Sequence, residues 1–340
     1  MHTMSADPVQ IDPSLETRLT AYRASTAAVF RRLAEAAATP PWTDGDVGLW
    51  ARHPLGMGLS RLATQGDLTP DELRKGMDRL QQVPGDILRM IEGGQIAVDT
   101  DGASFSLDFD RGVDFSLIPL DRQTAQEQLD SHLSVAVSTL GESWRSYIGP
   151  VATVCLVDAA GYSAIPHYSG SSNSLFGAMQ AGRLSASWIT AEVLTHEAAH
   201  MWLSLIEDQE EFADDGWTEQ AYLSPWRDDP RPISGVVHGV YVFSMVAAAL
   251  TRWIERDGPA SDSVLERLAL VCAQVRSAAA TVQGHPRVIP FVRSMTLAAL
   301  ERVARCEQVV PVEVAARATA RLAEHAARWR AAYPHLVTTA

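Results

Sequence analysis

The chain has 340 residues, 46% of them hydrophobic, enough for one large domain or two of ordinary size with a substantial core. A formal charge of -13 argues against a nucleic-acid partner, because phosphate binding needs a basic face. The three cysteines (Cys155, Cys272 and Cys306) show no C-x-x-C spacing, so they form neither a disulfide framework nor a thiolate zinc site, which fits a reducing cytoplasm.

The opening residues carry no basic stretch followed by an apolar one, as a secretory signal would. No run of about 18 apolar residues is read in the chain, so no membrane span is expected. The expectation is a cytoplasmic protein. Residues 1–13 are expected to be disordered. A first amphipathic helix is predicted from Ser14 to about Ala38, closed by Thr39-Pro40-Pro41. Residues 40–68, with Trp42, Trp50 and several Gly and Pro breaks, are read as a loop-rich packing segment. Thr69 as N-cap, Pro70 in the first turn and Asp71-Glu72 behind it predict the next helix. Residues 96–118 alternate enough to predict one short hairpin, and a helix follows from about Arg122 to Trp144.

The pattern then changes. VATVCLVD (151–158) is a short apolar, β-branched run bounded by Gly149-Pro150 and Ala159-Ala160-Gly161, so it predicts a buried strand. SAIPHYSG and SLFGAMQ suggest two more strands, with Ser171-Ser172-Asn173 as the turn between them. Beyond Ala186 the periodicity is helical, with helices predicted near 187–207, 232–256, 262–283, 287–307 and 311–332. The fold class expected is α+β, a mainly helical body with a small β-sheet beside the helix at 187–207, and not a jelly roll. Residues 14–148 are expected to form a mainly helical region suited to peptide or leader binding, and 149–340 the catalytic region.

The chemistry centres on HEAAH. His196 and His200 are four apart, so on a helix both imidazoles leave one face, a turn apart. Ile189, Val193 and Leu203 continue that face, while Leu194, Ala198, Met201 and Leu205 line the reverse. Two histidines in a helix apolar nearly all round need partners, since an unpaired buried polar group costs roughly 1–3 kcal/mol. A divalent metal satisfies both. Glu197 lies where H-E-x-x-H enzymes keep a carboxylate near the metal-bound water.

Two positions compete for the third ligand. Glu219 follows His200 by eighteen residues, a spacing similar to that of gluzincin peptidases, where His196, His200 and Glu219 would hold Zn2+ and Glu197 would act as general base. His238 lies about two turns into a helix opened by Pro232, flanked by Gly235 and Gly239, which leave room for another helix to approach. His167, in the strand segment ahead of HEAAH, is a further, lesser candidate for a binding contact rather than for this ligand position.

Residues 171 to about 256 resemble the α-ketoglutarate-dependent HExxH-type peptide β-hydroxylases, the HEXXH-motif peptide-modification proteins. The matching pieces are SSNSLFGAMQ, ITAEVLTHEAAHMWLSLIED and YLSPWRDDPRPISGVVHGVYVFSMVA, and the last is the most specific. The resemblance implies Fe(II) as metal, 2-oxoglutarate as cosubstrate and O2 as oxidant, with His196, His200 and His238 as ligands. It implies that Glu197 orients an imidazole or a bound water rather than serving as a base. Arg227 and Arg231, flanking Asp228-Asp229-Pro230, would offer guanidinium groups to the distal carboxylate of 2-oxoglutarate. Ser171, Ser172 and Asn173 would contact cosubstrate or peptide. The substrate implied is a ribosomally made precursor peptide, hydroxylated at a β-carbon. The alternatives are a zinc gluzincin-like peptidase and a non-catalytic helical binding protein.

Overall fold

A computed structural model of the chain describes residues 13–36, 48–105, 117–158, 168–207, 219, 221–257, 262–286 and 288–339. The fold is α+β, 72% helical with a small four-stranded mixed sheet. The chain divides into two compact units. One, the sheet unit, takes Ile11–Ala136 and Ser146–Leu205. The other, the helical unit, includes Val137–Arg145 and Ile206–Ala340.

The sheet unit begins with helices α1 (Pro13–Ala36), α2 (Pro54–Gln65), α3 (Pro70–Gln82) and α4 (Gly85–Glu92). Helix α3 starts as its sequence predicts: the Thr69 hydroxyl accepts the Glu72 amide and the Glu72 carboxylate accepts the Thr69 amide, a complete capping box. Helix α2 corrects the loop reading of 40–68. Its Gly56 and Gly58 lower intrinsic helix propensity, but burial outweighs that. His53 caps its N-terminus by accepting the Leu55 amide. Leu55, Leu59 and Leu62 pack with Phe30, Met77 and Leu80 in the core. A Cβ on Gly56 would lie 2.0 Å from the Trp50 carbonyl oxygen, so glycine serves a close backbone approach there rather than a turn.

Strands β1 (Ala97–Val98), β2 (Thr153–Leu156), β3 (Ser169–Ser171) and β4 (Ala178–Ala181) form one sheet in the order β1-β2-β4-β3. Every residue of β2 is buried, as its unbroken apolar run predicts for a strand covered on both faces. It pairs in parallel with β1 and β4, and β3 lies antiparallel along the outside of β4. Ala97–Val98 therefore pairs with a distant strand, not with an arm of a local hairpin; most of the expected second arm, 106–116, lies outside the described residues. The helix expected over 122–144 is split into α5 (Arg122–Leu140) and α6 (Glu142–Tyr147) at Gly141, whose φ of 85° is open to glycine at low cost. Helix α7 (Ser187–Glu207) closes the sheet unit, and its last two residues belong to the helical unit.

The helical unit continues with α8 (Ile233–Asp257), α9 (Asp262–Gly284), α10 (Pro290–Cys306) and α11 (Val312–Ala332). Helix α8 packs on α9 and α10, and α9 also meets α11. Contrary to the sequence reading, Ile233–Arg256 is long and apolar enough to pass as a membrane span, but 78% of its most apolar stretch is buried in protein. Burial in the helix cluster accounts for that composition.

Candidate metal centre

Helix α7 is where the sheet unit gathers its chemistry. From Ile189 to Leu205 every position is buried except His196 and His200. This stretch thus opens at one place only, and both openings are imidazoles. Their ring centroids are 4.9 Å apart and the rings are tilted by 67°. Two imidazoles sharing one metal through nitrogens about 2.1 Å away place their centroids roughly 4.5–5.2 Å apart for ligand angles between a right angle and tetrahedral. The observed pair fits a shared ion.

Glu197 is 1% exposed, and its two oxygens differ. Oε2 accepts a hydrogen bond from the Ser171 hydroxyl at 2.6 Å, and Ser169 also donates to the carboxyl group. Oε1 has no hydrogen-bond partner and sits 3.8 Å from His196 Nε2. Burial pushes the carboxyl up to about 7, against the two serine hydrogen bonds, which favour the anion. Ser169 and Ser171 are two apart on β3 and so share a face of the strand. The edge strand therefore holds the glutamate of the motif, and the orphaned Oε1 is left on the imidazole side. Such a buried, unsatisfied oxygen is costly unless a water or ion lies against it.

No protein-family model matches the chain, and no curated protein matches it.

Ser169 was not singled out from the sequence, since a serine at a strand edge carries no signal until its neighbour is known. Ser172 and Asn173 lie in the turn after β3. The Ser172 carbonyl closes that turn by accepting the Leu175 amide, and Asn173 Oδ1 accepts the Ser204 hydroxyl at 2.9 Å, tying the turn to α7. His167 lies outside the described residues.

Within the helical unit, His238 stands on α8 with 19% of its side chain exposed. Its Nε2 is 2.5 Å from Glu207 Oε1. A carboxylate partner of this kind fixes the tautomer and orientation of a metal-ligating imidazole. Glu219 is exposed. Residues 222–231 form a closed loop, because Tyr222 and Arg231 exchange backbone hydrogen bonds at 3.0 and 2.9 Å. Inside it Trp226 stacks on Phe243 with centroids 4.7 Å apart and planes 5° from parallel. A Cβ on Gly239 would lie 2.2 Å from the Trp226 ring. The notch beside Gly239 therefore admits an indole, not a neighbouring helix as the sequence suggested. Arg227 donates to Asp229 at 3.0 Å and Arg231 lies 3.5 Å from the other oxygen of the same carboxylate. Both guanidinium groups converge on one anion, although the three side chains are 37–48% exposed. Among the described residues, no three His, Cys, Asp or Glu side chains are grouped closely enough to hold a metal ion by themselves.

Proposed function

We propose that the chain is an Fe(II)- and 2-oxoglutarate-dependent oxygenase that hydroxylates a β-carbon in a ribosomally made precursor peptide. The observation that carries a metal role is the pair of imidazoles in α7, the only openings in an otherwise buried stretch of helix. Iron at this pair would supply O2 activation coupled to the oxidative decarboxylation of 2-oxoglutarate to succinate. His196 and His200 supply two nitrogen ligands. The resemblance of the segment around it makes His238 the third ligand in this reading, and Glu219 takes that place in the zinc alternative. Glu197, gripped by Ser169 and Ser171, keeps one oxygen beside His196 to orient a bound water or the imidazole itself. Arg227 and Arg231 already gather around a carboxylate, that of Asp229, and would offer the same recognition to the distal end of 2-oxoglutarate if Asp229 gave way. The overall family assignment rests on the resemblance of the three motif segments, above all the run from Tyr222 to Ala247.

One observation favours a second reading. The unbonded Glu197 Oε1 beside His196 is where a zinc peptidase needs its general base. Purification without oxygen followed by metal analysis and a succinate assay separates the two. Stoichiometric iron with succinate formed from 2-oxoglutarate supports the hydroxylase. Zinc with cleavage of a peptide supports the peptidase, and no bound metal refutes both.

A further inference from the structure

The sheet unit contains a cavity of 460 Å³ that shares no lining residue with the histidine pair. That volume lies within the roughly 300–1,000 Å³ of small-molecule sites. His53 and Asp99 line it and are 1% and 3% exposed. Asp99 is committed to its own loop, accepting the amides of Asp101, Ala103 and Ser104. His53 is half committed. Its Nδ1 accepts the Leu55 amide, so the neutral ring carries its proton on Nε2, and that N–H has no hydrogen-bond acceptor among the described residues. The ring is neutral at working pH, because burial pushes it down to about 4 despite the nearby Asp99.

The remaining lining sorts by charge and polarity. Asp101 is exposed at the rim and its carboxylate is paired with no cation among the described residues. Arg79, also in the lining, already has a partner of its own. With His53 neutral and Arg79 engaged elsewhere, Asp99 and Asp101 leave the lining net negative. Arg79 and Gln82 come from the last turn of α3, and Pro84 and Ile87 from the start of α4, so the opposed ends of two helix dipoles meet in the lining and the charge is set by the side chains. Val83 and Ile87 are buried and give the cavity an apolar wall. A ligand matching this set carries one positive charge for Asp101, one carbonyl oxygen for the His53 Nε2–H, and an apolar side chain.

We infer that the cavity above His53 receives the free N-terminal residue of a peptide, its α-ammonium at Asp101 and its first carbonyl at His53. The α-ammonium of a free amino acid offers the same donor, but its carboxylate brings a second negative charge and leaves the cavity's own unbalanced. The inference extends the reading of this chain as a peptide-modifying enzyme by naming the end of the peptide it would hold. It is tested on binding alone, without iron or 2-oxoglutarate, so a failed succinate assay leaves it standing and its own failure leaves the oxygenase reading standing.

The full chain is titrated by calorimetry at neutral pH with leucine methylamide, N-acetyl-leucine methylamide and free leucine. Leucine methylamide is expected to bind, with affinity at least tenfold above that of either other probe. Asp101→Asn is expected to lower that affinity at least tenfold while the circular dichroism melt stays unchanged, since the carboxylate is exposed and pairs with no cation among the described residues. Ala103→Leu, which fills part of the cavity, is expected to abolish binding. Failure of leucine methylamide to bind the unaltered chain overturns the inference. So does equal binding of the acetylated probe, of free leucine, or of the Asp101→Asn chain.

Discussion

Gly239→Ala should destabilise the protein, although the same change in an open helix would stabilise it. The new Cβ would lie 2.2, 2.6 and 2.9 Å from three ring atoms of Trp226, closer than carbon atoms approach. The indole would have to move, at a cost of about 1–3 kcal/mol typical of overpacked sites. Moving it also loses the stack on Phe243, worth about 0.5–1.5 kcal/mol beyond its area. Against this stands a gain of about 1 kcal/mol from replacing a helical glycine by alanine. The balance is a loss of about 2 kcal/mol. The decisive comparison is made in a Trp226→Ala background, where the obstacle is gone and only the propensity gain remains. There Gly239→Ala should raise stability by up to about 1 kcal/mol, so the sign of its effect reverses. Urea unfolding of the four proteins followed by far-ultraviolet circular dichroism measures both numbers. If Gly239→Ala destabilises equally with and without Trp226, the notch does not exist for the indole and the packing argument fails.

Other outcomes follow from the site and the core. His196→Ala and His200→Ala should each abolish stoichiometric metal uptake while leaving the circular dichroism spectrum intact, read by elemental analysis after dialysis; full occupancy in either variant would remove α7 as the metal helix. Ser171→Ala removes the 2.6 Å hydrogen bond to Glu197 and should cost about 1.5–3 kcal/mol in unfolding free energy, with metal content retained. An unchanged midpoint would mean that Ser169 alone holds the carboxyl. His53 sets an acid sensitivity. Its folded value of about 4 lies below the ordinary 6.5, so between those values the unfolded chain binds the extra proton and stability falls as pH falls. From pH 7 to pH 5 the loss attributable to it is about 2 kcal/mol. A His53→Gln chain should show a shallower decline, and an identical decline would place the acid sensitivity elsewhere.

Local signals were the readable ones. Thr69, Pro70 and Glu72 announce α3 because a capping box is made from residues three apart, and the structure forms it in full. Helix α7 was predicted at 187–207 and occupies Ser187–Glu207, since an apolar pattern unbroken by Gly or Pro leaves little choice. The strands at Thr153–Leu156 and Ala178–Ala181 were likewise visible as short apolar runs. What escaped depends on distant partners. Gly56 and Gly58 disguised α2, whose stability comes from Phe30, Met77 and Leu80 rather than from its own propensity. The parallel pairing of Ala97–Val98 with β2 spans more than fifty residues, beyond any turn signal. At the site, His196 and His200 were legible from their spacing. The grip of Ser169 and Ser171 on Glu197 was only half so, because strand alternation shows which residues share a face but not what faces them.

The closed flanks of α7 also bear on how a metal would come and go. Because each position from Ile189 to Leu205 other than the two histidines is already packed, the imidazoles have almost no backbone freedom left to lose on binding. Amide hydrogen exchange along this stretch should therefore be as slow in the stripped protein as in the loaded one. A metal added to the folded chain would meet a preorganised pair of nitrogens, and its loss to a chelator would empty the site without melting the helix that carries it.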